Sequence, residues 1–284
     1  MAPSGTSNVA SGGSSAVLSL ISALGGAAAA SLAFYVLQKD TIISDLADSK
    51  VGGNNSSSSS SSSQHASPSP ASPGDTLALI RHRRSIFPKQ YTGESVGRAV
   101  IDAMLDAARF APSHKLTEAW RFVVFESETS RAQLGKFMAE QYKAAQEATG
   151  KEVMEAKYDK KIKNSAAASH VLAIIVDTDG PNPAWEEIAS VSMAVQNMLL
   201  VAAAHNVGAY WSSGSVVDGD VKLNENAALP DSCIATAFNP AWREIMRLSD
   251  SQHCLGLAFV GRCKDGMKWP SGKKKDITDK TEWK

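Results

Sequence analysis

Three observations predict an α+β fold, a small mixed sheet wrapped by helices. Two candidate helices come before the first strand. Val171 to Val176 (VLAIIV) is a near-continuous apolar run, as a strand buried on both faces requires. The elements do not alternate strand-first, and no strand is followed by G-x-G-x-x-G or by G-x-x-x-x-G-K-[ST]. A doubly wound dinucleotide fold and a P-loop are therefore not supported.

The elements follow in order. Thr76 to Arg83 reads as a short helix with Leu77, Leu79 and Ile80 apolar. Ser95 is the expected N-cap of a helix over Val96 to Phe110, where Val96, Val100, Ile101, Met104, Leu105 and Ala108 recur at helical spacing. Ala111-Pro112 stops it, because proline disfavours helix in the residue before it. Arg121 to Glu126 (RFVVFE) reads as a strand. Ser130 to Lys163 reads as helical and highly charged, with an apolar face that weakens between Tyr142 and Tyr158. Such a stretch suits a mobile cover, with Tyr142 and Tyr158 either stacking on a bound ring or lying at the surface. Trp185 to Asn206 is apolar almost all the way round, so it belongs inside a domain or a dimer. Ala209 to Ser213 and Leu255 to Gly261 complete the strands.

These elements begin only near Asp75. Residues 1–15 and 38–74 read as disordered, and Ser56 to Ser63 is an unbroken run of eight serines that cannot bury enough surface to fold. Between them, Ala16 to Leu37 holds 22 residues without a charge. At 1.5 Å per residue it spans about 30 Å. It reads as a membrane anchor, a cleaved or organelle-targeting segment, or a soluble helix. The charges around it lean slightly towards a cytoplasmic folded domain. The domain over 75–284 is long enough for one core.

Equal numbers of basic and acidic side chains, 29 each, exclude a polyanionic partner such as nucleic acid. Three scattered cysteines (Cys233, Cys254, Cys263) supply neither a disulfide framework nor a zinc site. No Ser-His-Asp or paired-carboxylate constellation stands out. Arg83-Arg84-Ser85 is a donor cluster suited to a phosphate. Ala111-Pro112-Ser113-His114-Lys115, then Trp120-Arg121, forms a second polar turn beyond the helix.

R-R-S, then a helix, then A-P-S-H-K and W-R-F-V-V, closely resembles the FMN-dependent nitroreductase family, in the form of its YdjA-like small NAD(P)H nitroreductase branch. Trp185-Glu186-Glu187 at the start of the long helix and Gly208 to Gly214 (GAYWSSG) after it add to the likeness, which covers about residues 75 to 265. The resemblance implies a nitroreductase-like fold in a domain-interleaved homodimer with FMN at the interface. It also implies ping-pong turnover, with NADH or NADPH as donor and a nitroaromatic, a quinone or a similar small electrophile as acceptor. Carried over by position, Arg83, Arg84 and Ser85 hold the FMN phosphate and ribityl chain. His114 reaches the flavin from the partner subunit, and Trp211, Ser212 and Ser213 run along the ring. Val201, Ala202, Ala203, Ala204, His205 and Asn206 fall where the branch binds nicotinamide. Phe87 stands where many relatives carry a cation, with Lys89 near enough to substitute. W-S-S-G replaces W-R-S-G, and Arg262 is the candidate to restore that charge.

Two other functions compete. An iodotyrosine-deiodinase-like dehalogenase shares the N-terminal anchor, and Thr117-Glu118-Ala119-Trp120 is similar to its T-E-P-W. A flavin-binding protein without turnover is the second. A-P-S-H-K and W-E-E favour the reductase.

Overall fold

The computed structural model describes residues 72–212 and 240–284. The expected N-terminal disorder, the 16–37 segment, the serine run and Ser213 lie outside the described residues.

Helix α1 (Pro73–His82) opens on Ser72, whose Oγ accepts the Asp75 N–H at 3.1 Å. Helix α2 (Arg98–Ala108) starts later than a Ser95 cap would place it. The Val96 N–H is instead taken by Ser169 Oγ at 2.8 Å, and Gly97 turns the chain into the helix at φ 82°. Only glycine adopts that angle without strain.

Four strands form one sheet in the order β1-β2-β4-β3. They are β1 (Trp120–Phe125), β2 (His170–Asp177), β3 (Val207–Ser212) and β4 (Gln252–Arg262). The α+β class stands, but every pairing is antiparallel, so the sheet is not mixed. The reason lies in the charged stretch after β1, which is two helices rather than one. Helix α3 (Glu128–Ala148) ends at a turn containing Gly150 (φ 66°), and α4 (Glu155–Ala167) packs back along it. A helical hairpin returns the chain to the end it left, so Phe125 pairs with Val171. Helix α5 (Ala184–Ala204) then crosses singly to β3, and β4 inserts between β2 and β3. Between β3 and β4 lies the short helix α6 (Pro240–Met246).

The alternating strand period assigns the two faces. Val171, Ala173 and Ile175 of β2 join Leu257 and Phe259 of β4 under Leu134, Phe137 and Met138 of α3. Leu172, Ile174 and Val176 join Ala258 and Val260 under α2 and α5. Each fully buried Val, Leu or Ile contributes about 1.5–3 kcal/mol, so β2 anchors both layers. Helix α5 is long and apolar enough to cross a membrane, yet Val191, Val195 and Met198 are buried against the sheet. Helix α3 is no loose cover either: Leu134, Phe137, Met138, Ala139 and Tyr142 on it are all buried. Tyr142 is therefore a core residue, whereas Tyr158 is half-buried and bonds to Glu140.

Candidate functional site

The site is built on β3, an edge strand. After α1 the chain runs beside it, and the Ile86 N–H bonds to the Ala209 carbonyl at 3.1 Å. The Phe87 and Tyr210 rings meet at 4.5 Å. Tyr91 fastens this segment from beneath. Its hydroxyl lies 2.6 Å from the Ile86 carbonyl and 3.0 Å from the Phe259 carbonyl. The ring fills the space above Gly208 and Gly261, where an added Cβ would come within 2.5 Å and 2.4 Å of it. Those glycines are required by close approach.

A cavity of about 480 Å³ opens beside this seam, a size typical of small-ligand sites. Phe87, Tyr142, Tyr210 and Phe259 supply aromatic surface. Lys89, Lys157, Lys160, Lys161 and Asn164 supply donors, and no Asp or Glu lines it. Lys157, Lys160, Lys161 and Asn164 sit at i, i+3, i+4 and i+7 on α4, which places them on one helix face. The Lys161 ammonium lies 5.4 Å from the centre of the Tyr142 ring. Such a mixture of flat rings, cations and an amide fits a phosphorylated planar heterocycle such as FMN.

The residues expected from the sequence are distributed as follows. Ser212 lines the cavity; Trp211 does not. Alternation turns Trp211 to the α5 side, where its Nε1–H donates to the Leu255 carbonyl at 3.3 Å, and Tyr210 takes the cavity position. Arg83 and Ser85 lie just upstream of Phe87, and the Arg83 guanidinium has no partner among the described residues. Arg84 is committed elsewhere. Its Nε donates to the Pro270 carbonyl at 3.1 Å, and one Nη donates to the Arg81 and Arg83 carbonyls. Beside it, Trp269 stacks on His82 at 4.6 Å and donates to the His82 carbonyl at 2.7 Å. Arg84 thus clasps the C-terminal segment.

Arg262 lies at the far end of the ladder. It pairs with Val207 while Ser212 pairs with Leu257, about 17 Å away at 3.3 Å per residue. Its guanidinium meets Glu94 at 3.4 Å. With His205 and Asn206 it lines a second cavity of about 510 Å³. Val201 to Ala204 belong to the last turns of α5, with Ala202 and Ala203 buried. The structure therefore groups Arg262 with the nicotinamide candidates and apart from Ser212.

His114 sits by the N-terminal turn of α5, the helix packed on the other face of the sheet. Its Nδ1 is 2.6 Å from Glu186 Oε2, and its carbonyl accepts Asn182 Nδ2 at 2.8 Å. Thr117 Oγ1 donates to the buried Glu187 at 2.8 Å. The two motifs A-P-S-H-K and W-E-E thus form one network. Within it Lys115, Leu116 and Glu118 hold φ of 55°, 55° and 46°, a left-handed backbone that costs energy in non-glycine residues. Around this loop Phe110, Leu116 and Trp185 are exposed at 75%, 84% and 57%.

Tyr210, Lys161 and Asn164 were not among the sequence candidates; of the two tyrosines weighed for stacking, Tyr142 lines the cavity and Tyr158 does not. The i, i+3, i+4, i+7 spacing was visible, but not the cavity it faces.

Residues 80–262 match the sequence profile of the nitroreductase family. A Bacillus subtilis (strain 168) protein, YfhC, provisionally named an NAD(P)H nitroreductase, is 31% identical over 157 residues, covering 54% of this chain and 76% of the relative. Two crystal structures share the fold. A nitroreductase-like family protein from Bacillus cereus aligns at TM-score 0.55 and 21% identity, over 77% of this chain and 98% of its own. A Bacteroides fragilis nitroreductase with bound FMN aligns at TM-score 0.51 and 17% identity, over 72% and 96%. With the profile spanning well over half of the sequence, the chain belongs to the nitroreductase family.

Proposed function

We propose that this protein is an FMN-dependent NAD(P)H oxidoreductase that reduces small electrophiles such as nitroaromatics and quinones. The observation that carries the reading is the aromatic and lysine-lined cavity beside the Arg83–Phe87 segment. When bound there, FMN supplies the redox chemistry, taking two electrons and a proton from NAD(P)H and passing them, with a proton from water, to the acceptor. The chain's own residues bind, orient and shield. Arg83 and Ser85 hold the phosphate by charge-assisted bonds. Phe87 and Tyr210 would pack on the flavin ring, and Lys161 and Asn164 would supply donors to it. Donors there favour the negative charge gained on reduction.

The active form is a homodimer in which the 113–118 loop, with His114, completes the partner's site. Supporting this, the exposed Phe110, Leu116 and Trp185 surround the strained loop that carries His114. Residues 16–37 attach the enzyme to a membrane, with the domain on the cytoplasmic side; the support is an uncharged run of spanning length.

Purified full-length protein should be yellow and bleach on addition of NADPH or NADH. Initial rates at several fixed quinone concentrations should give parallel lines, as one pocket serving donor and acceptor in turn requires. Arg83→Ala removes a contact of about 1.5–3 kcal/mol, so FMN affinity should fall at least about tenfold. A colourless protein that takes up no FMN would refute the reading.

A further inference from the structure

We propose that the lysine face of α4 makes this enzyme selective for acceptors that carry an anionic group, a carboxylate or sulfonate on a planar electrophile. The inference rests on the proposed flavin reading and adds a substrate class to it.

The chain as a whole is neutral, yet its cavity is lined by four lysines and no carboxylate. Lys157 and Lys160 stand one helical turn apart, and Lys89 joins them from the turn after Phe87. Three of the acids on α3 and α4 are occupied. Asp159 pairs with Lys163 at 2.9 Å, Glu140 accepts from the Tyr158 hydroxyl, and Glu147 faces Lys143 at 4.0 Å. Lys89, Lys157 and Lys160 have no acidic partner among the described residues.

Like charges at i, i+3 and i, i+4 destabilise a helix. Lys157 repels both Lys160 and Lys161, and no ion pair of Lys157 or Lys160 among the described residues offsets this. A bound anion removes the repulsion. Lys161 is the one ammonium held in place, over the Tyr142 ring, while Lys157 and Lys160 are exposed and reach the opening. Exposed ammonium groups on long stems suit a ligand that must enter and leave in each cycle. A forked, pre-organised guanidinium such as that of Arg83 suits a resident cofactor phosphate better.

The test uses full-length holoenzyme and a Lys157→Gln/Lys160→Gln variant. Oxidised enzyme is titrated with 4-nitrobenzoate or its methyl ester, and binding is read from the flavin absorbance. Enzyme reduced by dithionite without oxygen is then reoxidised by each compound, so that no nicotinamide is present. The variant should keep its FMN, bind 4-nitrobenzoate about tenfold more weakly and bind the ester almost as before. About 0.5 M salt should weaken nitrobenzoate binding to the unmodified enzyme in the same way. Equal effects on acid and ester, or none on the acid, would overturn the proposal. Loss of FMN from the variant would also overturn it, by assigning the lysines to the cofactor. An unmodified protein without flavin would instead refute the parent reading.

Discussion

Tyr91→Phe is the sharpest test of how the site is held. The hydroxyl lies 2.6 Å from the Ile86 carbonyl, in a residue only 3% exposed. That carbonyl has no other partner among the described residues. Phenylalanine keeps the ring that fills the space over Gly208 and Gly261, so no cavity opens. What is lost is the hydrogen bond, and a buried acceptor is left unpaired at a cost of about 1–3 kcal/mol. For a domain of this size each kcal/mol lowers the melting temperature by about 2–4 °C. Calorimetry of flavin-free protein should therefore show a fall of about 2–12 °C at neutral pH. The pH dependence gives an independent check. Burial pushes the Tyr91 phenol far above its ordinary range, with Cys263 and Tyr210 adding to the rise. Below about pH 10 the phenol is protonated in both folded and unfolded chains, and its contribution is complete. Above that, the unfolded chain ionises while the native one does not, so stability is lost as pH rises. Tyr91→Phe should flatten this alkaline loss. An unchanged melting temperature, or an alkaline slope equal to that of the unmodified protein, would refute the role assigned to the hydroxyl.

Further perturbations probe other joints. Gly261→Ala would force a Cβ to within 2.4 Å of the Tyr91 ring, and overpacking of about 1–3 kcal/mol should lower the urea midpoint without changing the slope. Arg84→Ala should leave FMN bound but release the segment at Trp269 and Pro270, seen as faster tryptic cleavage after Lys268 or Lys273. Burial lowers the His170 pKa despite Glu126 nearby, so the unfolded state takes up the proton first. Stability should fall as pH drops below about 6.5, and His170→Gln should flatten that slope in acid titrations followed by circular dichroism.

Much of the fold was legible because its signals are local. Six apolar residues in a row marked β2, and apolar positions running almost all the way round Trp185 to Asn206 marked the helix that crosses the sheet. The errors have physical causes. The turn at Gly150 divides a charged stretch into two helices, and missing it produced a mixed sheet where the hairpin makes an antiparallel one. Ser95 has the chemistry of a cap, but a side chain 74 positions away holds the next backbone N–H and delays the helix. At β3 the strand was legible but its faces were not: alternation sends Tyr210 to the cavity and Trp211 towards α5. Arg84 and Arg83 are chemically alike in the sequence, and only the distant Pro270 carbonyl separates their roles.

The sheet order has a consequence for synthesis on the ribosome. Strand β3 leaves the ribosome before β4, yet β4 is its neighbour in the sheet and its bridge to β2. A nascent chain that has not yet delivered Gln252–Arg262 therefore exposes the edge of β2 and leaves β3 without a ladder. Domains built on such long-range pairings close slowly and are open to aggregation until the last strand arrives. The seam between β3 and the Arg83–Phe87 segment, whose Tyr91 clamp reaches the Phe259 carbonyl, is then among the last parts to form. Cofactor loading must wait for the release of the C-terminal strand, and chains truncated before it should be cleared by proteases without ever turning yellow.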